Sequence, residues 1–563
     1  MDQFVQACRE IVEEIKKNNI KDLDRLNPIK NRVVKKYKLP DYPTNVDLIA
    51  VATKEEREKY KNILTLKPVR NISGVNVIAV MSKPARCPHG TCTYCPGGPK
   101  SFYGNVPQSY TGHEPSTMRA IRANYDSYYI VFGRLEQYIA INKLPQKIEV
   151  IVQGGTFPFF PKEYQEEFIG YIYKAMNDFS DYFFEEGELL VEKFNQFFEL
   201  PGSIYDKDRV SRIREKIERI KGTLDFEAEK QRNESSLIKC VGLTIETKPD
   251  WGLLEHGNLM LHLGATRVEL GVQSVYDDIL KATHRGHGIK ETIQSFQELR
   301  DICFKINAHY MPGLIEDREK DFEGMKQLFS DPNYRPDMLK IYPCMVMPGT
   351  ALYQQWKKGK FNPITTEEAA DMIARFKQFV PKYCRIMRVQ RDIPTNVTAA
   401  GVDRTNLRHY VEEKLKKYGI KCNCIRCREP MGRKVNIDDV KILVEEYEAS
   451  KGKEFFISAE DTKQNILVGF CRLRFPYKIL RPEITEKSGL IRELHVYGEA
   501  VPLKKQGETQ HRGFGTKLMQ KAEEIAKDNG KNKMIVISGI GVRKYYEEQH
   551  GYNLEGLYMN KNI

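Results

Sequence analysis

Three cysteines, Cys87, Cys92 and Cys95, stand in a twelve-residue stretch, CPHGTCTYCPGG, that also holds five glycines and prolines and one histidine. Glycine and proline keep such a stretch out of regular helix and strand, so successive sulfurs can turn inward on one body. Spaced C-x4-C-x2-C, three thiolates can hold three corners of a 4Fe-4S cube and leave one iron free for a substrate. The alternative is zinc, whose structural sites close with four protein ligands, and His89 inside the loop could be the fourth. Spacing leaves both open.

A second trio, Cys422, Cys424 and Cys427, lies in KCNCIRCREP at 421–430. Three soft ligands amid arginines fit a structural zinc ion, with His409 of the preceding NLRHYVEEKL segment a candidate fourth ligand. A zinc-ordered segment would make Arg385, Arg388, Arg391, Arg408, Arg426 and Arg428 a fixed positive surface suited to phosphates. The remaining six of the twelve cysteines are scattered singly. They read as small core residues, and the absence of a secretion signal argues against disulfides.

Near the C-terminus, QHRGFGTKL (510–518) follows a strand pattern and opens a helix pattern. Gly513 and Gly515 would let a ligand approach the backbone, and the free amides of a helix N-terminus suit a pyrophosphate. Glycine-rich turns also serve packing alone, and Tyr545 and Tyr546 nearby are equally readable as core aromatics.

These residues need elements to hold them. The first 80 residues read as helical and basic, with apolar positions at helical spacing in QFVQACREIVEEIKK and a basic run NPIKNRVVKKYKLP. From residue 147, strands KIEVIVQGG, CVGLTIETKPD, TRVELGVQS, FKINAHYMPG and MLKIYPCMVMPG alternate with helical segments. That alternation predicts an α/β fold with a parallel sheet or partial TIM-like barrel, its ligands at the C-terminal strand ends. Residues 180–238 read as a charged helical insert without chemistry. The expected division is a basic N-terminal region at 1–80, a barrel domain at 81–380, a basic zinc-pinned linker at 381–434 and a compact α/β domain at 435–563.

The chain has 563 residues, too many for one core. Its formal net charge is +13, and between 381 and 434 fourteen Lys and Arg face five Asp and Glu. Such a run is either a solvated face or the footprint of a polyanion. No stretch approaches the roughly 20 apolar residues of a membrane helix, and a cytoplasmic protein is expected.

CPHGTCTYCPGG, QSYTGHEPSTMRA, VQGGTF, CVGLTIETKPD and VELGVQS together resemble the radical SAM domain of the Elongator catalytic subunit family. ELHVYG, QHRGFGTKL and GVRKYYEEQHGY are similar to that family's GNAT acetyltransferase domain. The cysteine loop has one residue more than the commoner C-x3-C-x2-C. The resemblance implies that Cys87, Cys92 and Cys95 hold a 4Fe-4S cluster that binds S-adenosyl-L-methionine (SAM), with Gly154, Gly155, Glu246 and Gln273 at the rim where its nucleoside lies. It implies that Glu493, Leu494, His495, Val496, Gln510, Gly513, Phe514, Gly515 and Thr516 bind acetyl-CoA, that Tyr546 together with Tyr545 faces its thioester, and that Lys147, just before the strand IEVIV, reaches across the domain boundary to acetyl-CoA. The implied activity is tRNA uridine(34) acetyltransfer, in which a deoxyadenosyl radical activates the acetyl methyl and a carboxymethyl group is left on carbon 5 of the wobble base. The implied partners are a tRNA anticodon stem-loop and either Elongator-type proteins or a second copy. Protein lysine acetylation over a structural iron-sulfur domain is the alternative, and a non-catalytic tRNA-binding scaffold is a third reading.

Overall fold

The computed structural model describes residues 3–20, 22–39, 42–64, 74–202, 206–497 and 513–563. The chain divides into two compact units, one of residues 1–78, 128–148 and 170–239, the other of 79–127, 149–169 and 240–563.

The first unit is mainly helical. Its helix Gln3–Lys17 buries Ala7, Cys8, Ile11, Val12 and Ile15, a stripe at helical spacing. The helix Leu23–Tyr37 is capped by Asp22, whose side chain accepts from Arg25 N. Lys30, from the basic run, is buried and donates to Asn45 Oδ1 at 2.8 Å. The charged insert supplies the helices Lys207–Lys221 and Phe226–Asn233, each with an aspartate N-cap.

The second unit carries two sheets of seven strands each. The first comprises β1 (Val75–Met81), β2 (Lys147–Gln153), β3 (Lys239–Thr247), β4 (Arg267–Gln273), β5 (Lys305–Tyr310), β6 (Met338–Ile341) and β7 (Arg385–Arg388), side by side in chain order. From β3 to β7 every neighbour is parallel, the arrangement of a half-barrel. The first three strands contribute residues 79–81, 149–153 and 240–247 to this unit. Sheet pairing extends past the expected domain boundary at 380, because Arg385–Arg388, read as linker, pairs with β6 as the seventh strand.

The second sheet comprises β8 (Val440–Ala449), β9 (Gly452–Asp461), β10 (Ile466–Phe475), β11 (Ser488–Val496), β12 (Lys533–Val536), β13 (Asn553–Glu555) and β14 (Tyr558–Asn562), in the order β8-β9-β10-β11-β12-β14-β13. Only β11 and β12 are parallel among its described pairings. The helix Phe514–Asp528 covers one face through Phe514, Leu518, Met519, Ala522 and Ala526, packed on Val468, Leu473 and Ile491.

This sheet meets the half-barrel at the N-terminal ends of its strands. Cys303 Sγ lies 3.2 Å from Ile491 O and Tyr558 Oη donates to Ile302 O at 2.9 Å, both just before β5. Buried ion pairs join the two sheets. Arg492 reaches Asp337 at 2.7 Å and Glu454 at 2.8 Å; Arg474 reaches Asp301 at 2.6 Å and Glu454 at 2.9 Å. Arg472 pairs with Glu493 at 2.9 Å, and Lys305 reaches the same carboxylate at 3.4 Å. Among the described residues no helix is long and apolar enough to cross a membrane.

Candidate radical and acetyl-CoA sites

The cysteine loop lies at the opposite, C-terminal ends of the barrel strands. Two tight turns shape it, with Gly90 N donating to Cys87 O and Cys95 N to Cys92 O. Every sulfur faces a hydrogen-bonding group. Cys95 Sγ accepts from Ser109 N at 3.2 Å and Gln108 Nε2 at 3.3 Å; Cys92 Sγ lies 3.3 Å from His89 Nε2 and 3.6 Å from Arg285 Nη1; Cys87 Sγ lies 3.6 Å from Thr156 Oγ1. Burial pushes the Cys87 thiol up to about 11. A bound metal overrides such a shift by deprotonating the thiol.

The two cysteine trios differ in spread. The sulfurs of Cys422, Cys424 and Cys427 lie within 4.8 Å of one another, whereas Cys87, Cys92 and Cys95 do not form such a group among the described residues. A tetrahedral zinc with bonds of about 2.3 Å draws its sulfurs to about 3.8 Å apart. The second trio therefore fits one ion, and the first fits a larger body such as a cluster. His409 does not join the second trio: its side chain is 63% exposed and pairs with Glu413 on its own helix.

Around the loop stand the rim residues. Gly154 and Gly155 follow β2 with φ of +131° and +94°, a backbone that strains any L side chain. A Cβ on Gly154 would lie 2.1 Å from Ser82 Oγ, and one on Gly155 would lie 3.8 Å from Cys87 Sγ. Gln273 ends β4 at φ +69°, buried, with Oε1 unpartnered. Glu246 accepts from Tyr110 Oη at 2.9 Å and Gln153 Nε2 at 3.3 Å.

Below Glu246 the barrel interior is charged, which the sequence reading did not anticipate. Glu269 accepts from Lys340 and lies 2.8 Å from His309 Nε2, and Lys340 also reaches Glu246 at 3.4 Å. Burial alone would raise the Glu269 carboxyl, but Lys340, His309 and Arg267 hold it well below the usual carboxylate range. Arg267 completes the column through Glu149 at 2.5 Å. The signal was present as period-two alternation: in RVELGVQ and KINAHY, polar residues occupy the odd positions except for Gly271, and apolar ones mostly the even. Glu246, Glu269 and His309 are close enough to share an ion, yet the Lys340 ammonium already occupies the carboxylates.

Most of the residues expected at acetyl-CoA lie elsewhere in the same unit. Parallel pairing of β11 with β12 stops at Ile491 and Val536, beyond which Glu493 to Val496 pair with β10 alone. Arg492 is the extra residue of a bulge, since Arg472 faces Glu493 and Leu473 faces Ile491. Into this gap points the helix Phe514–Asp528, preceded by Gly513 in the left-handed region. A Cβ on Gly515 would lie 2.8 Å from Tyr545 Oη and 3.9 Å from Val496 Cγ2, so strand, helix start and tyrosine meet there. Phe514 packs into the core, and Thr516 lies in the helix's first turn.

Tyr545 is 38% exposed, whereas Tyr546 belongs to the core with Tyr552. Burial raises the Tyr546 phenol, with Tyr545 adding to the shift. Glu493 is buried; burial would raise it, but Lys305 and Arg472 hold its carboxyl at about 2. Burial lowers His495 to about 4, and its ring stacks on Phe470. Leu494 packs against the core of this sheet. Lys147, the exposed first residue of β2, belongs to the other unit. Gln510 lies outside the described residues.

Of the six arginines expected as one positive surface, three are paired with carboxylates. Arg428 is 1% exposed, paired with Glu460 at 2.6 Å, and Arg385 is taken up by Glu429 and Arg388 by Asp392. Arg385 and Arg428 tie the segment around Cys422 to Cys427 in place, together with Ile425 N on Cys384 O and Arg426 on Met387 O.

Comparison with known proteins agrees with this architecture. The ELP3 N-terminal domain matches residues 4–72, the Radical SAM superfamily 205–329, the Radical_SAM C-terminal domain 336–417 and the Acetyltransferase (GNAT) family 427–552. The tRNA uridine(34) acetyltransferase of Methanocaldococcus jannaschii is 42% identical over 100% of this chain and 99% of its own length. Elongator complex protein 3 of Saccharomyces cerevisiae is 39% identical over 100% of this chain and 97% of its own. The chain belongs to the Elongator catalytic subunit family. A solved family structure, Methanocaldococcus infernus Elp3 lacking residues 1–46, aligns with TM-score 0.70 at 38% identity, covering 87% of this chain and 100% of that one. A member thus joins a radical SAM half-barrel to a GNAT domain, which imply a 4Fe-4S cluster with SAM and acetyl-CoA respectively.

Proposed function

We propose that this protein is a tRNA uridine(34) acetyltransferase that leaves a carboxymethyl group on carbon 5 of the wobble uridine. The observation that carries the reading is that one compact unit holds both the three-sulfur loop at one end of the barrel and the Val496, Gly515 and Tyr545 cleft of a GNAT domain. Full-length similarity to proteins named for that activity supports it.

In this reading Cys87, Cys92 and Cys95 hold the cluster, while Gly154, Gly155, Glu246 and Gln273 border SAM. When bound, these groups supply one-electron chemistry able to remove hydrogen from an unactivated methyl group, which no side chain can do unaided. Glu493, Leu494, His495 and Val496 line the acyl arm. Gln510, Gly513, Phe514, Gly515 and Thr516 receive its phosphates, the helix N-terminus donating its free amides. Tyr545 meets the thioester from the exposed side, with Tyr546 beneath it. For the product to form, the acetyl methyl would give one hydrogen to the deoxyadenosyl radical and its carbon would replace the hydrogen on carbon 5 of the base, which would leave as a proton and an electron returned to the cluster; water would then cleave the thioester, releasing CoA.

Zinc at Cys422, Cys424 and Cys427 would stiffen the turn between β7 and the second sheet. Exposed Lys416, Lys417, Lys421 and Lys434 are free to meet the phosphates of an anticodon stem-loop. Elongator-type proteins or a second copy are further partners in this reading, and the cytoplasm its compartment.

The test is anaerobic incubation of the reduced protein with tRNA, SAM and acetyl-CoA, followed by nucleoside mass spectrometry. Carboxymethyluridine should form and should vanish in Cys87→Ser, Cys92→Ser or Cys95→Ser. Acetylated lysine made in air without SAM, with no altered nucleoside, overturns the proposal.

A further inference from the structure

The segment THRGHG at 283–288 is pressed onto the cysteine loop. Thr93 N donates to Thr283 O at 3.1 Å, and a Cβ on Gly286, at φ +76°, would come 2.4 Å from His89 Cβ. Between these contacts Arg285 is 8% exposed, donating Nη2 to Gly271 O at 2.7 Å and Nη1 to Cys92 Sγ at 3.6 Å, with Nε unpartnered. Among the described residues it has no ion pair with an Asp or Glu. A buried guanidinium without a counter-charge is strongly unfavourable, and the anions that can answer it here are the sulfurs.

Gly271 makes the arrangement possible. A Cβ there would lie 2.5 Å from Arg285 Nη2, so the guanidinium crosses β4 only because the strand is bare at that point. The same strand ends at Gln273, which ties the cation to the rim as well as to the loop.

We propose that Arg285 is the built-in counter-cation of the iron-sulfur cluster and sets the potential at which the cluster takes up its electron, an inference that rests on the cluster reading above. Reduction adds one electron, and hence one negative charge, to the cluster; no bond or proton on Arg285 changes. A fixed positive charge against Cys92 stabilises the more negative state and raises the midpoint potential, as hydrogen bonds to cluster sulfurs also do. Arg285 is thus a positioning residue for charge.

The full chain, loaded anaerobically with iron and sulfide, would be titrated with dithionite and followed by electron paramagnetic resonance, without SAM or tRNA. Arg285→Gln should be at least tenfold less reduced at a given potential, which is about 59 mV for one electron. Arg285→Lys should fall between the two. Gly271→Ala, which removes no charge but fills the space of the guanidinium, should shift the midpoint the same way. A folded Arg285→Gln with wild-type iron content and midpoint overturns the inference. Where that variant takes up no iron, unchanged midpoints in both Arg285→Lys and Gly271→Ala overturn it instead. A wild-type chain that forms no 4Fe-4S signal overturns the cluster reading, and this inference with it.

Discussion

Glu269 is fully buried and answers Lys340, His309 and Arg267 at once. Replacing it by glutamine keeps the shape and removes the charge, leaving the Lys340 ammonium with Glu246 alone at 3.4 Å. Breaking a buried pair in this way costs about 3–5 kcal/mol. Glu269→Gln should therefore lose most of its denaturant midpoint, and the double variant Glu269→Gln with Lys340→Met should recover part of it. At this scale the sequence was legible where a motif clusters locally, as in the loop of Cys87, Cys92 and Cys95. It was not legible for Glu269, His309 and Lys340, which lie on three different strands. Their alternation with apolar neighbours looks like a half-exposed sheet until both faces are seen to be covered.

Among the elements, the start of the helix Phe514–Asp528 carries the sharpest requirement. Gly515 allows Tyr545 Oη and Val496 to close on the same point. Gly515→Val should leave the fold intact, because the residue lies at the helix end and not in the core, while the Tyr545 hydroxyl is forced aside. We expect acetyl-CoA affinity to fall by tenfold or more, about 1.4 kcal/mol, measurable by calorimetry. The strands that the sequence declared, from KIEVIVQGG to MLKIYPCMVMPG, are β2 to β6 of the half-barrel. β8 and β9 escaped it because their long antiparallel hairpin carries no ligand residue and all β8 positions but Ala449 are exposed or half-buried. β7 escaped it for another reason: four residues, RIMR, are too short and too basic to read as a strand, and only pairing with β6 makes them one.

For the molecule as a whole, acid should loosen the junction of the two sheets. Glu493 is held at about 2 in the folded protein, whereas a free glutamate ionises near 4.3. A depressed carboxyl contributes stability that is complete above the unfolded value and is lost as pH falls toward the folded one. Denaturant midpoints should therefore drop between about pH 4.5 and pH 2, and Glu493→Gln should flatten that part of the profile. For tRNA, log affinity should fall against log salt with a slope of roughly −0.7 to −0.9 per neutralised phosphate, and a flat response would remove the phosphates from the reading. Domain order was legible from the motifs; the junction was not, since Arg492 and Asp337 lie 155 residues apart and neither sits in a pattern.

That junction has an evolutionary corollary. Arg472, Arg474 and Arg492 come from the transferase sheet and Asp301 and Asp337 from the barrel, and although Glu454 and Glu493 of their own sheet share the three arginines, the two aspartates draw their arginine partners from across the seam. A chimera that grafts this barrel onto the transferase of a distant homologue would inherit an orphan charge in a dry seam unless both sides were swapped together. The two catalysts are fused in chemistry's sense as well as the gene's, and drift at the seam has to proceed by paired exchanges.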